Sequence, residues 1–173
     1  MKVLTLIRHA KSSWKDPGLP DWDRPLNKRG KRDAPAIGQR LAERGSFAEL
    51  VISSSALRAL ATAEAIAEEI DYPWTEIVAD ERLYGADLSE WLEIIRGFDD
   101  ALDRVMCVGH NPGLTELASY FSSEGVGHVP TCGVVELRFD VWRWALVGHV
   151  EPTGVDFDYP KRVSSGRTCT RGY

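Results

Sequence analysis

Four side chains suited to phosphate chemistry follow three strand-like segments of this sequence. They are Arg8 and His9 after the apolar run 3–7, Arg58 shortly after 50–53, and His110 after 105–109. In an open α/β sheet, ligands bind beyond the carboxyl ends of the strands. Two guanidinium groups and two imidazoles at that edge would form a pocket for a phosphoryl group.

His9 is the predicted nucleophile of this pocket. A neutral imidazole can attack phosphorus and form a phosphohistidine, which divides hydrolysis into two easier steps. A lone histidine is more often an ordinary surface residue, but His9 follows a strand that delivers its last side chains into the crevice. His110 is the predicted partner that stabilises the transferring phosphoryl group. The alternative for His110 is a turn residue, since glycine, asparagine and proline surround it.

Arg8 and Arg58 are the predicted phosphate ligands, because planar guanidinium groups bind phosphoryl oxygens with two parallel hydrogen bonds. Arg58 falls in the first turn of a predicted helix. A cation there opposes the helix dipole at a cost of roughly 0.3 to 1 kcal/mol, unless an anion is nearby. The alternative is an exposed side chain whose unfavourable charge is screened by solvent.

Composition and length indicate an ordinary globular protein. The 173 residues suit one domain over 1–163, followed by a flexible polar tail over 164–173. The net charge of −5 argues against general nucleic-acid binding. The apolar stretch at the N-terminus is short and no later run approaches a membrane span, so we expect no membrane association and a cytoplasmic location.

Hydrophobic patterning predicts an α/β fold with a mixed sheet. The predicted strands are 3–7, 50–53, 76–79, 105–108, 133–139 and 142–150, and the last two could form an antiparallel hairpin near Asp140. The predicted helices are 27–44, Ser54 or Ser55 to about 70, Ser89 to about 98, and 114–121. Pro35 predicts a late start or a kink in the first helix.

Other candidate sites are weaker. Cys132 and Arg138 have the C-x5-R spacing of cysteine-dependent phosphatases, but the residues between them resemble a strand and not a phosphate loop. The three cysteines, an odd number, are predicted to be reduced. His128 and His149 have no partners at a spacing that favours zinc, so we expect structural or exposed residues. Trp142 and Trp144 alternate, which is typical of one buried strand face.

Taken together, the ordered motifs resemble the histidine phosphatase superfamily, which includes the phosphoglycerate mutases. The motifs are Leu-Thr-Leu-Ile-Arg-His-Ala at 4–10, Ser-Ser-Ser-Ala-Leu-Arg at 53–58 and Val-Gly-His-Asn-Pro at 108–112. The segments Arg-His-Ala-Lys-Ser at 8–12, Asp-Arg-Pro-Leu at 23–26 and Arg-Leu-Tyr at 82–84 look most like the SixA phosphohistidine phosphatase subgroup.

The resemblance implies a phosphoglycerate mutase-like three-layer sandwich, with a mostly parallel mixed sheet flanked by helices. It also implies that His9 accepts the phosphoryl group, that Arg8 and Arg58 bind it, and that His110 completes the pocket. No metal or organic cofactor is implied.

Two further residues are candidates by the same resemblance. Glu81 falls where phosphoglycerate mutase relatives carry a general acid; its alternative is a surface carboxylate. An imidazole leaving group needs an acid less than an alkoxide does, so Glu81 bears on substrate class. Ser12 matches a serine that follows the nucleophile and is a candidate phosphate ligand, although Lys15 stands where relatives tend to have asparagine.

The sequence therefore predicts a phosphatase that uses a histidine nucleophile. The leading substrate is phosphohistidine on a signalling protein of the histidine-phosphotransfer type. The alternatives are a small phosphomonoester and, from another class, a non-catalytic module that binds a phosphorylated partner. A mutase is disfavoured because the chain lacks extra segments to cover a small phosphorylated intermediate.

Overall fold

A computed structural model describes residues 1–122 and 126–162 of the chain. It confirms the predicted α/β class, with a mixed, mostly parallel sheet between two layers of helices. The six strands of the sheet are β1 Lys2–Arg8, β2 Leu50–Ser53, β3 Val78–Ala79, β4 Arg104–Gly109, β5 Val134–Phe139 and β6 Gly154–Asp158.

The strand order is β3-β2-β4-β1-β5-β6. The first four strands in this order run parallel, and β5 and β6 join as antiparallel neighbours. Parallel strands need crossover connections, and the helices that follow β1, β2 and β3 supply them. As a result β1, β2 and β4 end at the same edge of the sheet.

Four helices cover the two faces of the sheet. They are α1 Lys28–Glu43, α2 Leu57–Glu69, α3 Leu88–Arg96 and α4 Gly113–Phe121. The apolar residues of α1 and α2 belong to one buried cluster, and those of α3 and α4 belong to the other. Each cluster lies on its own face of the sheet, which gives the predicted three layers.

The central strands β1 and β4 are buried on both faces. In β1, Leu4 and Leu6 pack in the α3/α4 cluster, whereas Ile7 packs in the α1/α2 cluster. In β4, Cys107 packs in the α3/α4 cluster and Met106 packs in the α1/α2 cluster. Successive side chains of a strand point to opposite faces, so burial on both sides requires an uninterrupted apolar run. This is why these strands were readable from the sequence.

The prediction of a strand over 142–150 is wrong. The described chain has a short 3-10 helix, Trp144–Leu146, in that segment, and the strand that pairs with β5 is β6. Trp144 is fully buried but Trp142 is 72% exposed, so the two do not share one buried face. The indole of Trp144 donates to the carbonyl of Leu102, and Asp100 accepts from its backbone N–H. These distant polar partners stabilise a helical turn where alternation suggested a strand.

The helix starts also differ from the predicted caps. Asp87, and not Ser89, caps α3 in a reciprocal capping box with Glu90. The residue before α2 is Ala56, which has no side-chain cap, so neither Ser54 nor Ser55 has the predicted role. The start of α1 was correct within a residue, with Asn27 as its cap, and the helix continues through Pro35. For α3, these reciprocal bonds with Glu90 favour Asp87 over Ser89 as the cap.

The C-terminal tail and the domain assignment were also predicted from the sequence. The predicted tail over 164–173 lies outside the described residues, and the assignment of 1–163 to one domain stays a prediction. Within the described ranges, no helix combines the length and the apolar character that crossing a membrane requires.

We expect Gly113→Ala to destabilise the fold, because Gly113 starts α4 against the backbone of the segment before α3. A Cβ atom there would lie 1.8 Å from the carbonyl oxygen of Ala86. Overpacking of this kind costs about 1 to 3 kcal/mol of unfolding free energy, measured by urea denaturation. Gly127→Ala is the control, since among the described residues its Cβ would meet no atom within 4 Å. Equal stability of the two variants would contradict this prediction.

Candidate active site

The four residues of the predicted phosphate pocket lie together at the carboxyl ends of neighbouring strands. His9 follows β1 and His110 follows β4, which is the parallel neighbour of β1. Arg58 lies in the first turn of α2, after β2. The ring centroids of His9 and His110 are 5.0 Å apart, and Arg58 Nε is 3.4 Å from His9 Nε2. We call Arg8, His9, Arg58 and His110 the histidine pocket.

Hydrogen bonds fix the tautomer of His9. Its Nδ1 lies 2.8 Å from the carbonyl oxygen of Ala10. A carbonyl oxygen only accepts, so Nδ1 carries the ring proton and Nε2 keeps its lone pair. The Nε–H of Arg58 points to that Nε2 atom. The nitrogen that faces the pocket is therefore the nucleophilic one.

His9 is also held in its neutral form. Burial lowers its pKa from 6.5 to about 4, with repulsion from the charges of Arg58, Arg8 and Arg24 acting in the same direction. The bond to Ala10 opposes this shift but does not reverse it. A nucleophile must be unprotonated to attack, so this environment keeps His9 reactive at neutral pH.

His110 has the opposite tautomer. Its Nδ1 lies 3.5 Å from Nη2 of Arg58, which can only donate, and its Nε2 lies 2.7 Å from Oγ of Ser54. Nε2 therefore carries the proton and donates to Ser54. Burial, followed by repulsion from His9 and Arg58, lowers the pKa of His110 to about 3. Ser54 was considered only as a helix cap from the sequence, yet it orients His110.

Arg8 is oriented by a loop far away in the sequence. Its Nη1 donates to the carbonyl of Val129 at 3.0 Å and lies 3.1 Å from Nε2 of His128. Its Nε is buried and has no hydrogen-bond partner in the described part of the chain. A bound anion would satisfy such a donor. The sequence predicted a structural or exposed residue at His128, and the side chain is exposed, but its contact with Arg8 was missed.

Thr62 joins the nucleophile loop to the helix of Arg58. Its hydroxyl accepts the backbone N–H of Ala10 at 2.9 Å and donates to the carbonyl of Arg58 at 2.7 Å. Thr62 is fully buried in α2. One hydroxyl thus sets the separation of His9 and Arg58. A threonine within an alanine-rich helix gave no signal of this role in the sequence.

Asp21 is the anionic member of the site, which the sequence analysis missed. Its Oδ2 accepts from Nη2 of Arg58 at 2.9 Å and from the hydroxyl of Tyr84 at 2.6 Å. Its Oδ1 accepts from Nη1 of Arg24 at 2.8 Å. The hydrogen bond from Tyr84, followed by those from the two arginines, holds the pKa of Asp21 well below its usual range. Asp21 is therefore a carboxylate that compensates the positive charge of the pocket.

Ser12 and Glu81 lie in different surroundings. Ser12 is buried, and its hydroxyl accepts a hydrogen bond from Nη2 of Arg24. Glu81 is exposed, and among the described residues its side chain hydrogen-bonds no member of the histidine pocket. Tyr84, three residues later, packs edge-on against His110, and the centroids of the two rings are 5.3 Å apart. The roles of Ser12 as a phosphate ligand and Glu81 as an acid stay predictions.

The cysteine-phosphatase alternative has no support in the geometry. Cys132 is buried, which raises the pKa of its thiol to about 12 and disfavours a thiolate nucleophile. Arg138 is paired with two carboxylates: its Nη1 lies 3.0 Å from Oε1 of Glu136 and 2.6 Å from Oδ2 of Asp156. Within the described ranges, no cluster of three or more histidine, cysteine or acidic residues is placed to hold a metal ion.

Comparisons with known proteins show what the whole chain is similar to. A model of the histidine phosphatase superfamily (branch 1) matches residues 4–96. An uncharacterized chloroplastic protein of Arabidopsis thaliana is 32% identical over 78% of this chain, and the match spans 65% of that protein, which is less than two thirds of its length. An uncharacterized protein of Mycobacterium tuberculosis is 35% identical over 82% of this chain and 91% of its own.

A solved structure is similar to this chain in both sequence and fold. The crystal structure of a candidate phosphohistidine phosphatase, SixA, from Agrobacterium tumefaciens is 30% identical to this chain, with a TM-score of 0.72. The match covers 80% of this chain and 92% of that one.

We expect both pocket histidines to be neutral at a pH of about 6, where free imidazole is largely protonated. Because the pKa values of His9 and His110 are about 4 and about 3, their ring 15N signals should titrate only in more acidic solution. Unfolding frees both rings to bind protons, so the free energy of unfolding should fall as pH falls from 6.5 towards 4. Titration of either ring near 6.5 would contradict the prediction.

We expect His128→Ala to weaken oxyanion binding, because Arg8 loses a partner that orients it. The loss of one hydrogen bond should raise the Kd for orthovanadate, measured by calorimetry, about two- to tenfold. His128→Gln keeps an acceptor and should restore most of the affinity. His149→Ala is the control, since His149 is also exposed and makes no hydrogen bond to the pocket among the described residues. Unchanged affinity in His128→Ala would show that Arg8 does not need this contact.

Proposed function

This chain belongs to the histidine phosphatase superfamily and is SixA-like, and from that premise we propose that it is a phosphatase whose nucleophile is His9. The observation that carries the proposal is the lone pair of His9 Nε2, directed into a pocket of cationic side chains. The leading substrate is phosphohistidine on a signalling protein, and the cytoplasm stays the predicted location. A small phosphomonoester is the alternative substrate.

In the first step, Nε2 of His9 attacks phosphorus in line with the leaving group. The bond from nitrogen to phosphorus forms while the bond from phosphorus to the leaving group breaks, and the leaving group takes up a proton from solvent water. Arg8 and Arg58 bind the equatorial oxygens and offset their charge. The negative phosphoryl group also raises the proton affinity of the adjacent His110, which favours a ring that donates to it.

In the second step, water attacks the phosphohistidine. The bond from water oxygen to phosphorus forms, the bond to Nε2 breaks, and phosphate leaves with neutral His9 restored. The Nδ1–H bond to the Ala10 carbonyl supports the first step, because it stabilises the ring as positive charge develops during attack. The same bond keeps Nε2 aimed at phosphorus throughout the cycle.

Phosphohistidine is favoured over an alkyl ester by the chemistry of the leaving group. An imidazole, with a reference pKa of about 6.5, departs more readily than an alkoxide and needs less help from an acid. Glu81 is exposed and Asp21 is held ionised by its arginine and tyrosine partners, so neither is an obvious proton donor. A pocket in which neither of these two carboxyl groups is placed to donate a proton suits a phosphoramidate substrate.

We expect His9→Ala to lower turnover at least about a thousandfold while leaving the fold intact. The assay is phosphate release from a phosphorylated histidine-phosphotransfer domain, with p-nitrophenyl phosphate and 3-phosphoglycerate in parallel. His149→Ala is the matched control. A radiolabelled phosphoryl group on the enzyme that is lost in acid, retained in alkali and absent from His9→Ala would identify the phosphohistidine intermediate.

The outcomes separate the alternatives. Preference for the phosphodomain supports the leading substrate, and activity that depends on His9 for the ester alone supports a small-molecule phosphatase. Conversion of 3-phosphoglycerate to its isomer would support a mutase. Binding without turnover of any substrate would contradict phosphatase activity and favour a non-catalytic module.

A further inference from the structure

We propose that three aromatic residues beside the histidine pocket form the docking surface for the folded protein that carries the phosphoryl group. We call Trp14, Trp22 and Tyr84 the aromatic rim. Trp14 and Trp22 lie in the segment between β1 and α1, and Tyr84 lies between β3 and α3. The inference rests on the proposed function, and it identifies residues that would recognise the substrate protein without taking part in the chemistry.

Trp14 is exposed and yet firmly supported. Its side chain is 71% exposed, and the guanidinium carbon of Arg24 lies 3.3 Å from its ring centroid. Arg24 is itself buried, and it donates to the carbonyl of Ser13 at 3.1 Å and to Asp21 and Ser12. An aromatic ring that is ordered before binding loses little conformational entropy on contact with a partner.

The rim is continuous with the catalytic pocket. The rings of Trp22 and Tyr84 are 4.6 Å apart, and the ring of Tyr84 lies 5.3 Å from that of His110. Asp21 joins the two halves of the rim, because its carboxylate accepts hydrogen bonds from both Tyr84 and Arg24. Asp21 also accepts a hydrogen bond from Arg58, so the arginine that packs against Trp14 is connected to the pocket.

The position of the nucleophile determines what the rim can contact. His9 is 9% exposed, so a phosphoryl group bonded to it lies within the pocket and the remainder of the substrate lies outside, over the rim. A small ester would contact Tyr84 at most. A folded protein would also cover Trp22 and Trp14, and tryptophan, tyrosine and arginine are the residues that contribute most binding energy at protein interfaces.

Charge favours a protein over a nucleic acid as the occupant. The chain has a net charge of −5, and the exposed charges next to Trp14 are of both signs, Lys15 and Asp16. Nucleic-acid binding relies on a predominantly basic surface. An aromatic surface with mixed charges is typical of protein recognition.

Trp142 provides a matched control within the same chain. It is 72% exposed, and Arg143 lies 5.4 Å from its ring centroid. It follows the end of β5 that pairs with Lys2, whereas the pocket lies beyond the other end of β1. A solvent-exposed tryptophan beside an arginine is therefore present at both edges of the sheet, but only Trp14 is near the pocket.

The test compares two substrates across the variants Trp14→Ala, Trp14→Phe and Trp142→Ala. The substrates are a histidine-phosphotransfer domain phosphorylated with phosphoramidate, and p-nitrophenyl phosphate. We expect Trp14→Ala to lower the ratio of kcat/KM on the phosphodomain to kcat/KM on the ester about tenfold or more. Trp14→Phe should fall between wild type and Trp14→Ala, and Trp142→Ala should leave the ratio unchanged.

Binding gives a second readout that does not depend on turnover. In a His9→Ala background, adding Trp14→Ala should raise the Kd for the phosphodomain by a similar factor. The inference is overturned if Trp14→Ala leaves the ratio and the Kd unchanged, or if Trp142→Ala lowers the ratio equally. If the wild-type protein hydrolyses the ester but does not bind the phosphodomain, the docking inference is overturned while phosphatase activity stands. Failure of wild type on every phosphorylated substrate would reject the proposed function itself.

Discussion

The site depends on one buried cation, the guanidinium of Arg58. It is 6% exposed and within hydrogen-bonding range of His9 on one edge and of His110 and Asp21 on the other. A buried charge without a partner would be strongly destabilising, so Asp21 has a structural role as well as an electrostatic one. Its carboxylate holds Arg58 in place, and Arg58 in turn directs a donor at each of the two imidazoles.

The balance of charge around Arg58 explains the chemistry of the pocket. Among the described residues, Arg24 and Arg58 share one carboxylate, that of Asp21, and Arg8 forms no ion pair. The remaining positive charge disfavours protonation of His9, and the same charge attracts a phosphoryl dianion. One arrangement thus keeps the nucleophile neutral and binds its target. Neither effect would survive without burial, since water would screen both.

The fold delivers these groups to one place through its parallel strands. Because β1, β2 and β4 are parallel neighbours, the segments that follow them begin at the same edge of the sheet. Thr62 and Ser54 then set the fine geometry: Thr62 couples Ala10 to Arg58, and Ser54 orients His110. Short polar side chains suit this role, because they have few conformations to lose on burial.

The sequence by itself determined the central strands and the identity of the histidine pocket. Apolar runs buried on both faces end abruptly at Arg8 and His9 and before His110, and that local pattern needs no knowledge of the rest of the chain. The segment after β5 was assigned incorrectly, because alternating tryptophans there reflect one buried and one exposed ring and not a strand.

Only the tertiary structure decided how the pocket is oriented and what surrounds it. Asp21 contacts Arg58 across 37 residues, Ser54 contacts His110 across 56, and His128 contacts Arg8 across 120. These partners lie in loops and helix starts, where no periodic pattern marks a functional side chain. Their proximity follows from strand order and crossover connections, so it exists only once the sheet has formed.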